Sequence, residues 1–413
     1  ANSVYGAEIM QNTIPDLLDS VKYTSKDKHA RKQYRQLLTM TLEKNADIFR
    51  NIGLCLDDGE DRCTIELNER TIKDISGILE NLRKIEEFQT DSRKKRECKI
   101  VMEQFSVFMH PGAYLCWMEL DRGNGMLSLC GVPTAMRGEL NRNLWTMPNT
   151  HWMLTSGTMK DDTGFRYFKY ELGISGNIPE GATLEHSNGS PFDYKNHTRL
   201  YISENVPFPD MDDPEYIQAV CDEIVKLVYA TRGHTAILFT SYRMLRMVYE
   251  KVKNRLLDYH LIQMTRSDKT AIGQFKKEKN SVLFASGSMW EGVDCAGDVL
   301  SSVIIVRLPF PLRSQLMEYK KAQYDTVREF VQECAIPQMI IKLRQGAGRL
   351  IRTENDTGVI AILDSRAAKN GPYRERVLTA LSQYPLTPSI YGVEQFISAV
   401  KGTEYLEGGR ASA

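Results

Sequence analysis

The sequence of 413 residues lacks several features that would assign a protein to a class directly. It contains no apolar run of about eighteen residues, the length that a membrane-spanning helix needs. Residues 1–5 show neither the basic nor the apolar segment of a secretory signal peptide, and they include no Met. The eight cysteines include no CxxC pair and are joined by only seven histidines. Neither a disulfide scaffold nor a zinc or iron–sulfur site is predicted, and reduced thiols are expected.

The charge of the sequence is balanced, with 53 basic and 53 acidic residues and a net charge of zero. This balance excludes a polycationic coat protein, but it is compatible with a local basic groove. Such a region lies between Arg243 and Lys279, where ten basic residues exceed four acidic residues by six. A shorter basic run, Arg93-Lys-Lys-Arg96, is interpreted either as a solvated helix face or as a nucleic-acid contact.

Several catalytic signatures are also missing. No GxxxxGK(S/T) phosphate-binding loop, HExxH zinc motif or GxSxG nucleophile elbow occurs in the 413 residues. The acidic pair Asp222-Glu223 continues into a helical pattern, so it is not the magnesium-binding acidic box of a helicase strand. The sequence therefore predicts no self-contained site for a triphosphate and its metal ion.

The hydrophobic pattern changes along the chain. Up to about residue 110 it is typical of charged amphipathic helices, over residues 28–49 and 71–108. A β-hairpin follows, with strands 114–120 and 126–130 around a glycine-rich turn. After residue 150, strands and helices alternate; the predicted strands are 151–155, 236–240, 281–286, 302–308 and 359–364, and the predicted helices are 214–230, 242–257 and 337–343. This alternation predicts an α/β fold with helices on both faces of a parallel sheet and ligands beyond the carboxyl ends of its strands.

The strongest chemical signal is Gln345-Gly-Ala-Gly-Arg349-Leu-Ile-Arg352. On a helix, Arg349 and Arg352 would share one face because they are three residues apart. Guanidinium groups suit phosphate oxygens, and arginines donated to a phosphoryl-transfer site stabilise the negative charge that develops there. The two glycines would let this face approach another surface closely. The alternative is a surface helix with solvated arginines.

A second signal is the segment from Ala285 to Asp294, which directly follows a predicted strand. Ser288 and the amides near Gly287 are suited to binding a phosphodiester. Glu291 and Asp294 are suited to accepting hydrogen bonds from a ribose or from the arginines. Trp290 is interpreted either as a stacking residue or, as is commoner beside a strand, as a core residue.

Two further strand ends carry hydroxyl groups. One is Leu154-Thr-Ser-Gly-Thr158, and the other is Leu238-Phe-Thr-Ser-Tyr242, which opens a helix. Ser241 is a candidate N-cap of that helix. The alternative function of the same position is to hold a phosphate at the helix N-terminus.

In order and spacing, these motifs resemble those of the DinG/XPD-like DNA helicases of superfamily 2, most closely the bacterial DinG-like branch. The resemblance extends over about residues 127–366 and is carried by Thr155-Ser-Gly-Thr158, Ser190-Pro-Phe-Asp-Tyr194, Leu238-Phe-Thr-Ser241, Gly287-Ser-Met-Trp-Glu-Gly-Val-Asp294, Arg307-Leu-Pro-Phe-Pro311, Gln345 to Arg352, and Leu363-Asp-Ser-Arg366. The helical residues before the hairpin fit the arch insertion of that family by position and character.

The resemblance implies a RecA-like second motor domain of the P-loop NTPase type and an α-helical arch insertion. The implied divisions are an arch-like helical insertion over 1–112, a hairpin and returning strand of motor domain 1 over 113–180, motor domain 2 over 181–405, and a tail over 406–413. The phosphate loop and the DEAH box of motor domain 1 would then lie before residue 1.

The resemblance also implies four groups of site residues. Catalytic residues facing the γ-phosphate would be Gln345, Arg349 and Arg352, with the arginines as fingers. Nucleotide-binding residues would be Glu291, Gly292 and Asp294. DNA-backbone contacts would come from Thr240, Ser241, Tyr242, Gly287, Ser288 and Trp290, and coupling of the ATP state to the grip on DNA from Ser156, Gly157 and Thr158.

The function implied is that of the C-terminal half of an ATP-dependent DNA helicase, which translocates 5′ to 3′ on single-stranded DNA and unwinds duplex. Its cofactors would be ATP and Mg²⁺, bound mainly by motor domain 1, and its partners would be that domain and single-stranded or forked DNA. A bacterial cytoplasmic, nucleoid-associated protein of DNA repair or replication is expected. The chain alone is expected to be inactive as an ATPase. The alternative is a nucleic-acid-binding or regulatory module that does not hydrolyse ATP; an unrelated α/β enzyme with coincidental motifs is a third interpretation.

Overall fold

The computed structural model describes residues 6–23, 26–55, 62–110, 112–121, 123–161, 163–179, 181–264, 270–290, 295 and 297–407, without the side chains of Ser288 and Met289. The chain forms two units. Unit 1 comprises residues 1–153, 169–183 and 312–325, and unit 2 comprises residues 154–168, 184–311 and 326–413.

Unit 1 contains a four-stranded antiparallel sheet in the order β1-β4-β3-β2. Its strands are β1 (Ala7–Met10), β2 (Arg62–Thr64), β3 (Tyr114–Asp121) and β4 (Met126–Pro133). The predicted hairpin is the β3–β4 pair. Its turn is closed by the amide of Gly125, which donates to the backbone oxygen of Asp121 over 2.7 Å. Gly125 has φ +70°, a conformation that glycine adopts without steric cost.

Helices pack on this sheet, and the longest three begin at side-chain caps. Asp27, Asn68 and Asp91 each accept a hydrogen bond from a backbone amide in the first turn of the helix that follows. The helices of unit 1 are Thr13–Ser20, Lys28–Gly53, Glu69–Glu87, Ser92–Ser106, Met136–Leu140 and Gln315–Lys321, with a 3₁₀ turn at Val107–Met109 and a π-helical turn at Asn141–Trp145. The two predicted helical stretches are therefore observed, the second as two helices and a turn.

The predicted boundary at residue 112 differs from the observed division. β1 and β2 both come from the first 112 residues, and they pair with the hairpin strands β4 and β3. The edges of a two-stranded hairpin carry unpaired backbone groups, and β1 and β2 satisfy them. Residues 1–153 consequently lie in one unit rather than in separate helical and hairpin domains.

The predicted strand over residues 151–155 is not a strand in the structure. It has no ladder partner among the strands of the described residues. The indole Nε1 of Trp152 donates to the backbone oxygen of Leu144 over 2.9 Å, and Met153 is 83% exposed. The apolar pattern identified a strand-forming segment, but a strand also needs a neighbouring strand to pair with.

Unit 2 contains a seven-stranded parallel sheet in the order β11-β5-β10-β9-β6-β8-β7. The strands are β5 (Thr198–Ile202), β6 (Thr235–Phe239), β7 (His260–Gln263), β8 (Ser281–Ser286), β9 (Ser302–Ile305), β10 (Gly358–Ile362) and β11 (Leu386–Thr387). Strands β6, β8, β9 and β10 are buried along their whole length. They correspond to the four remaining predicted strands, and their continuous apolar runs are typical of a parallel sheet covered on both faces.

Helices cover both faces of this sheet, and alternate strand residues point into two separate cores. One core joins Leu238, Leu283 and Val303 to Ile340 and Leu343. The other joins neighbouring residues of the same strands to different helices. The helices of unit 2 are Tyr194–His197, Pro214–Ala230, Tyr242–Val252, Ala271–Lys277, Val327–Phe330, Ile336–Ala347, Arg374–Ala380, Ile390–Val400 and Thr403–Glu407. The short helix Arg166–Glu171 begins with residues assigned to unit 2 and ends with residues assigned to unit 1.

The predicted tail over 406–413 begins inside the last helix, Thr403–Glu407, and residues 408–413 lie outside the described part of the chain. The helix is anchored by Tyr405, whose hydroxyl donates to the backbone oxygen of Thr231 over 2.7 Å. All eight cysteines lie in the described part of the chain, and each is a thiol rather than half of a disulfide. Burial raises the pKa of the Cys98 and Cys116 thiols to about 11, which keeps them protonated at neutral pH.

Candidate nucleotide and nucleic-acid site

The predicted site residues of unit 2 follow the carboxyl ends of its strands. Thr240–Tyr242 follow β6, and Gly287 follows β8, which is the neighbouring strand. Since all strands are parallel, these ends lie along one edge of the sheet. The sheet therefore brings together two segments that are distant in sequence, since Tyr242 and Gly287 are 45 residues apart.

The two predicted DNA-contact segments touch each other at this edge. The hydroxyl of Tyr242 donates to the backbone oxygen of Ser286 over 3.5 Å. Gly287 has φ +68°, and a Cβ added to it would lie 3.3 Å from the Tyr242 hydroxyl oxygen. The turn after β8 is thus built for close approach to the start of the helix after β6.

Ser241 is the N-cap of the helix Tyr242–Val252. Its hydroxyl accepts a hydrogen bond from the amide of Met244 over 3.3 Å and donates to the sulfur of Met211 over 3.8 Å. The capping interpretation is what the structure shows.

Trp290 is a core residue. Its side chain is 1% exposed, and its indole Nε1 donates to the backbone oxygen of Phe239 over 3.1 Å. A Cβ added to Gly346 would lie 2.8 Å from the Trp290 ring. The assignment of this ring to DNA is therefore corrected in favour of the core alternative, because a buried ring offers no face on which a base could stack.

The segment with the two arginines is not a continuous helix. The helix Ile336–Ala347 ends at Gly348, whose amide donates to the backbone oxygen of Arg344 over 2.8 Å. Arg349 lies in the turn that follows the helix and Arg352 lies in irregular backbone beyond it, so the prediction that they share one helical face was wrong. The close approach expected of the glycines is made by Gly346, and the surface that it approaches is the Trp290 ring.

Arg349 nevertheless lies at the predicted edge. Its Nη2 donates to the backbone oxygen of Trp290 over 3.3 Å, which places the guanidinium beside the turn after β8. Arg352 is exposed. The structure thus places one arginine against the strand-end segment and the other at the surface.

Gln345 meets the predicted coupling segment. Its Nε2 donates to the hydroxyl oxygen of Thr158 over 3.4 Å, and Ser156 Oγ accepts from the amide of Thr158 over 3.2 Å. The neighbouring Arg344 reinforces this contact, because its Nη1 donates to the backbone oxygen of Lys160 over 2.6 Å. Two motifs that are 187 residues apart are therefore joined within unit 2.

The predicted nucleotide-binding residues Glu291, Gly292 and Asp294 lie outside the described residues, and so does the side chain of Ser288. After Asp294, the described part of the chain includes Cys295 and then the 3₁₀ turn Gly297–Val299.

Sequence reasoning missed Asp356, which joins the 3₁₀ turn at Gly297 to the segment that contains Arg352. Its buried carboxylate accepts hydrogen bonds from the amides of Gly297 (2.9 Å), Arg352 (2.7 Å) and Thr353 (2.8 Å), and from the Thr353 hydroxyl (2.7 Å). Burial acts to raise the pKa of Asp356, but the hydrogen bonds from Thr353, Arg352 and Gly297 outweigh it and hold the pKa below its ordinary value. The available signal was Thr353 followed three residues later by Asp356 in a turn.

A second missed carboxylate, Asp364, follows β10 at the same edge. It is fully buried, accepts from the amide of Leu308 over 2.7 Å, and pairs through both oxygens with Arg366 at 2.9 and 2.7 Å. The hydrogen bond from Leu308 ties the end of β10 to the segment after β9, and the Asp364–Arg366 pair is a local fork-to-fork contact. Among the described residues, no group of three or more His, Cys, Asp or Glu side chains could hold a metal ion.

Comparison with known proteins places these features in a family. Residues 224–384 match a family described as "Helicase C-terminal domain". The chain is 33% identical over 289 residues to the ATP-dependent DNA helicase YoaA of Haemophilus influenzae, covering 69% of this chain and 43% of the relative. It is 28% identical over 277 residues to the 3′-5′ exonuclease DinG of Bacillus subtilis, covering 64% of this chain and 29% of the relative. The chain thus spans less than half the length of these curated relatives.

Solved structures resemble the chain at low sequence identity. A structure of apo XPD has a TM-score of 0.58 at 16% identity, covering 94% of this chain and 74% of that one. A structure of S. tokodaii Xpd4 has a TM-score of 0.60 at 15% identity, covering 94% and 73%. The fold defines unit 2 as a RecA-like α/β domain with a parallel sheet. Residues 224–384 thus form a helicase C-terminal domain, and the chain is similar in sequence to the YoaA and DinG helicases and in fold to XPD. No helix among the described residues combines the length and apolarity needed to cross a membrane.

Proposed function

We propose that the chain is the C-terminal half of an ATP-dependent DNA helicase that translocates 5′ to 3′ on single-stranded DNA and unwinds duplex. The observation that carries this proposal is the gathering of the strand-end motifs at one edge of the parallel sheet, within the region that matches the helicase C-terminal domain. The name of the relative YoaA, an ATP-dependent DNA helicase, supports the choice of DNA as substrate. On the same basis we place the protein in the bacterial cytoplasm, on nucleoid DNA, in repair or replication.

In this proposal Arg349 and Arg352 act as arginine fingers and Gln345 helps to orient the γ-phosphate. Arg349 now donates to a neutral backbone oxygen, that of Trp290. A phosphate oxygen is a stronger, charged acceptor for a guanidinium. Binding of ATP nearby would therefore draw Arg349 away from Trp290 and toward the phosphate. Glu291, Gly292 and Asp294 are proposed to contribute the remaining contacts to the nucleotide.

DNA grip is assigned to the backbone edge formed by Thr240, Ser241, Tyr242, Gly287 and Ser288. Backbone amides and hydroxyls at strand ends contact phosphates without reading sequence, as a translocating enzyme requires. Coupling is assigned to Ser156, Gly157 and Thr158. The contact between Thr158 and Gln345 supports this role, because a shift of Gln345 toward a phosphate would pull on the Thr158 segment.

ATP and Mg²⁺ need residues that these 413 do not supply, since no GxxxxGK(S/T) loop occurs among them. We assign the phosphate loop and the acidic box to a first motor domain, which is then an obligatory partner. The exposed apolar side chains of Trp152, Met153 and Leu154, at 45%, 83% and 43%, support a contact with such a domain. A strand-forming segment without a ladder partner is a natural place for another sheet to add on.

The second candidate function is a nucleic-acid-binding or regulatory module that does not hydrolyse ATP. The basic excess between Arg243 and Lys279 would serve either function. The arrangement of Gln345 and Arg349 favours the helicase, because a binding module has no use for a guanidinium held at the edge where a nucleotide would bind.

The experiment that tests the proposal compares ATP turnover by the 413-residue chain with turnover by a polypeptide that also contains the first motor domain. We expect the chain alone to bind single-stranded DNA weakly and to show no ATPase activity, because arginine fingers act only on a held phosphate. The longer polypeptide should hydrolyse ATP in a DNA-dependent manner. Robust DNA-stimulated turnover by the chain alone would refute the proposed division of labour.

A further inference from the structure

A basic face runs along the first two turns of the helix Lys28–Gly53 in unit 1. It is formed by Lys28, Arg31, Lys32 and Arg35, all of which are exposed. Lys28 is three and four residues before Arg31 and Lys32, which are four and three residues before Arg35, so the four side chains lie on one side of the helix. Together with Gln36, Thr39 and Met40, they line an open depression on the surface of this one helix. We call these four residues the basic face.

In sequence, the acidic residues nearest to the basic face are Asp27, the N-cap of the helix, and Glu43. Residues 28–42 contain no Asp or Glu. Among the described residues, none of the four basic side chains makes an ion pair. The other basic run of unit 1, residues 93–96, is different. Glu97 accepts from Lys94 at 2.9 Å and lies 3.4 Å from Arg93.

The opposite side of the same helix is already occupied. Tyr34, Leu37, Ile48 and Phe49 are buried in the core of unit 1. A helix that binds a membrane surface needs a free apolar face to enter the lipid. The exposed large apolar side chains of this helix are Met40 and Leu42, at 48% and 40%, and because they are two residues apart they lie on different sides of the helix. The basic face therefore offers a ligand only its positive charge, and the ligand that complements a row of positive charges is a polyanion.

We propose that the basic face binds the phosphate backbone of single-stranded DNA. From Lys28 to Arg35 the helix rises by about 10 Å, which is long enough for cations to contact more than one phosphate along a strand. Contacts to phosphate oxygens carry no sequence information, so binding should be independent of base composition. The inference rests on the proposed function, because it takes DNA as the substrate, and it adds a DNA surface in unit 1 to the one proposed in unit 2.

The test uses the full 413-residue chain and a fluorescent oligo(dT), with binding measured by anisotropy at several salt concentrations. The variant carries Lys28→Gln, Arg31→Gln, Lys32→Gln and Arg35→Gln. We expect its affinity to fall at least tenfold at low salt. We also expect the slope of log K against log salt to become shallower, by about 0.7 for each lost phosphate contact and up to about 3 in total. An oligo(dA) should show the same loss.

The matched control carries Arg93→Gln, Lys94→Gln, Lys95→Gln and Arg96→Gln, which removes the same charge from another helix of unit 1. Its affinity should change less than threefold. Circular dichroism should show native helicity for both variants, because all substitutions are on exposed or half-exposed helix positions. Equal losses in the two variants, or unchanged binding by the first, would overturn the basic face as a DNA site. Binding of the native chain to phosphatidylserine vesicles but not to oligonucleotides would overturn it as well.

The outcome is separable from that of the proposed function. In a polypeptide that includes the first motor domain, the four substitutions should leave ATP turnover at saturating DNA unchanged and raise only the DNA concentration needed for half-maximal stimulation. Loss of turnover at saturating DNA would contradict a role confined to DNA binding. Unchanged DNA dependence would overturn the basic face while leaving the proposed helicase function intact.

Discussion

Asp356 is a single residue on which two loops of the candidate site depend. The residue is 4% exposed, and its carboxylate accepts hydrogen bonds from three backbone amides. One of these amides belongs to Arg352, a proposed arginine finger. Another belongs to Gly297, which follows the proposed nucleotide-binding residues in the sequence. Asp356 therefore acts as a positioning residue for both.

We predict that Asp356→Asn lowers the free energy of unfolding by about 1–3 kcal/mol, because an amide nitrogen would face backbone donors that need an acceptor. Denaturant titration of the chain measures the loss. Glu354→Gln, an exposed change in the same loop, is the control and should be neutral. Equal midpoints for native chain and Asp356→Asn would show that the carboxylate does not hold the loops.

The lowered pKa of Asp356 sets the pH dependence of this contribution. A carboxyl group whose folded pKa lies below its unfolded value, about 3.9, stabilises the fold above that value and loses the effect as pH falls through the folded pKa. The difference in stability between the native chain and Asp356→Asn should thus be full at pH 6 and shrink below about pH 4. A difference that grows on acidification would contradict this.

Gly346 shows how closely the motif packs. We predict that Gly346→Ala destabilises unit 2 by about 1–3 kcal/mol, since the new methyl group would lie 2.8 Å from the Trp290 ring. Thermal unfolding followed by the fluorescence of tryptophan measures the effect. Gly273→Ala is the control: it is a helical glycine with nothing within 4 Å of an added Cβ, and it should raise stability by about 0.5–1 kcal/mol. A neutral Gly346→Ala would mean that the ring can move aside.

At the residue scale, the position of Thr240–Tyr242 and of Gly287 directly after strands was predictable, and several other positions were not. The sequence pattern could not show that the helix stops at Ala347, because the signal for the stop, Gly348, was also compatible with close packing. The burial of Trp290 depends on Gly346 and Phe239, which are distant in sequence. Asp356 was missed because three of its four hydrogen bonds come from backbone amides, and only the Thr353 hydroxyl gives a signal in the sequence.

The helix Tyr242–Val252 offers a test at the scale of an element, since its N-cap Ser241 is also proposed to lie near DNA phosphates. Asp caps a helix as well as Ser does, but it adds a negative charge. We predict that Ser241→Asp keeps the thermal stability of the chain within about 0.5 kcal/mol and weakens single-stranded DNA binding at least fivefold.

Ser389→Asp is the matched control, because Ser389 caps the helix Ile390–Val400 in the same way, accepting from the amide of Gly392 over 3.2 Å. It should leave DNA binding unchanged. Equal binding by Ser241→Asp and Ser389→Asp would limit Ser241 to capping and remove it from the proposed DNA contacts.

Among the elements, those with a complete local signal were predicted well. The helix Pro214–Ala230 was predicted with the observed bounds, since it begins with Pro at its first turn and an Asp cap. The buried strands β6, β8, β9 and β10 were found from their apolar runs. The strand over 151–155 failed because pairing depends on a partner strand, which the local pattern does not contain. The short strands β1 and β2 were missed because three or four residues carry too little periodicity.

For the whole molecule, the α/β class and the RecA-like parallel sheet were predicted and confirmed. The division into domains was less predictable. Nothing in the local sequence indicates that Ala7–Met10 pairs with β4, and this long-range pairing is what joins the N-terminal helices to the hairpin in unit 1. The balanced charge of the chain likewise conceals the basic face, which becomes visible only when the residues of one helix side are considered together.

The central claim is that unit 2 supplies an arginine finger to an ATP site whose phosphate loop lies elsewhere. The most direct test is DNA-stimulated ATP turnover by a polypeptide that includes the first motor domain, with Arg349→Ala and Arg349→Lys compared with Arg328→Ala, an exposed arginine of the same unit. We predict that both Arg349 variants lose about 10³-fold or more in turnover while Arg328→Ala does not change, because lysine keeps the charge but not the forked donors. Native turnover in the Arg349 variants would contradict the account.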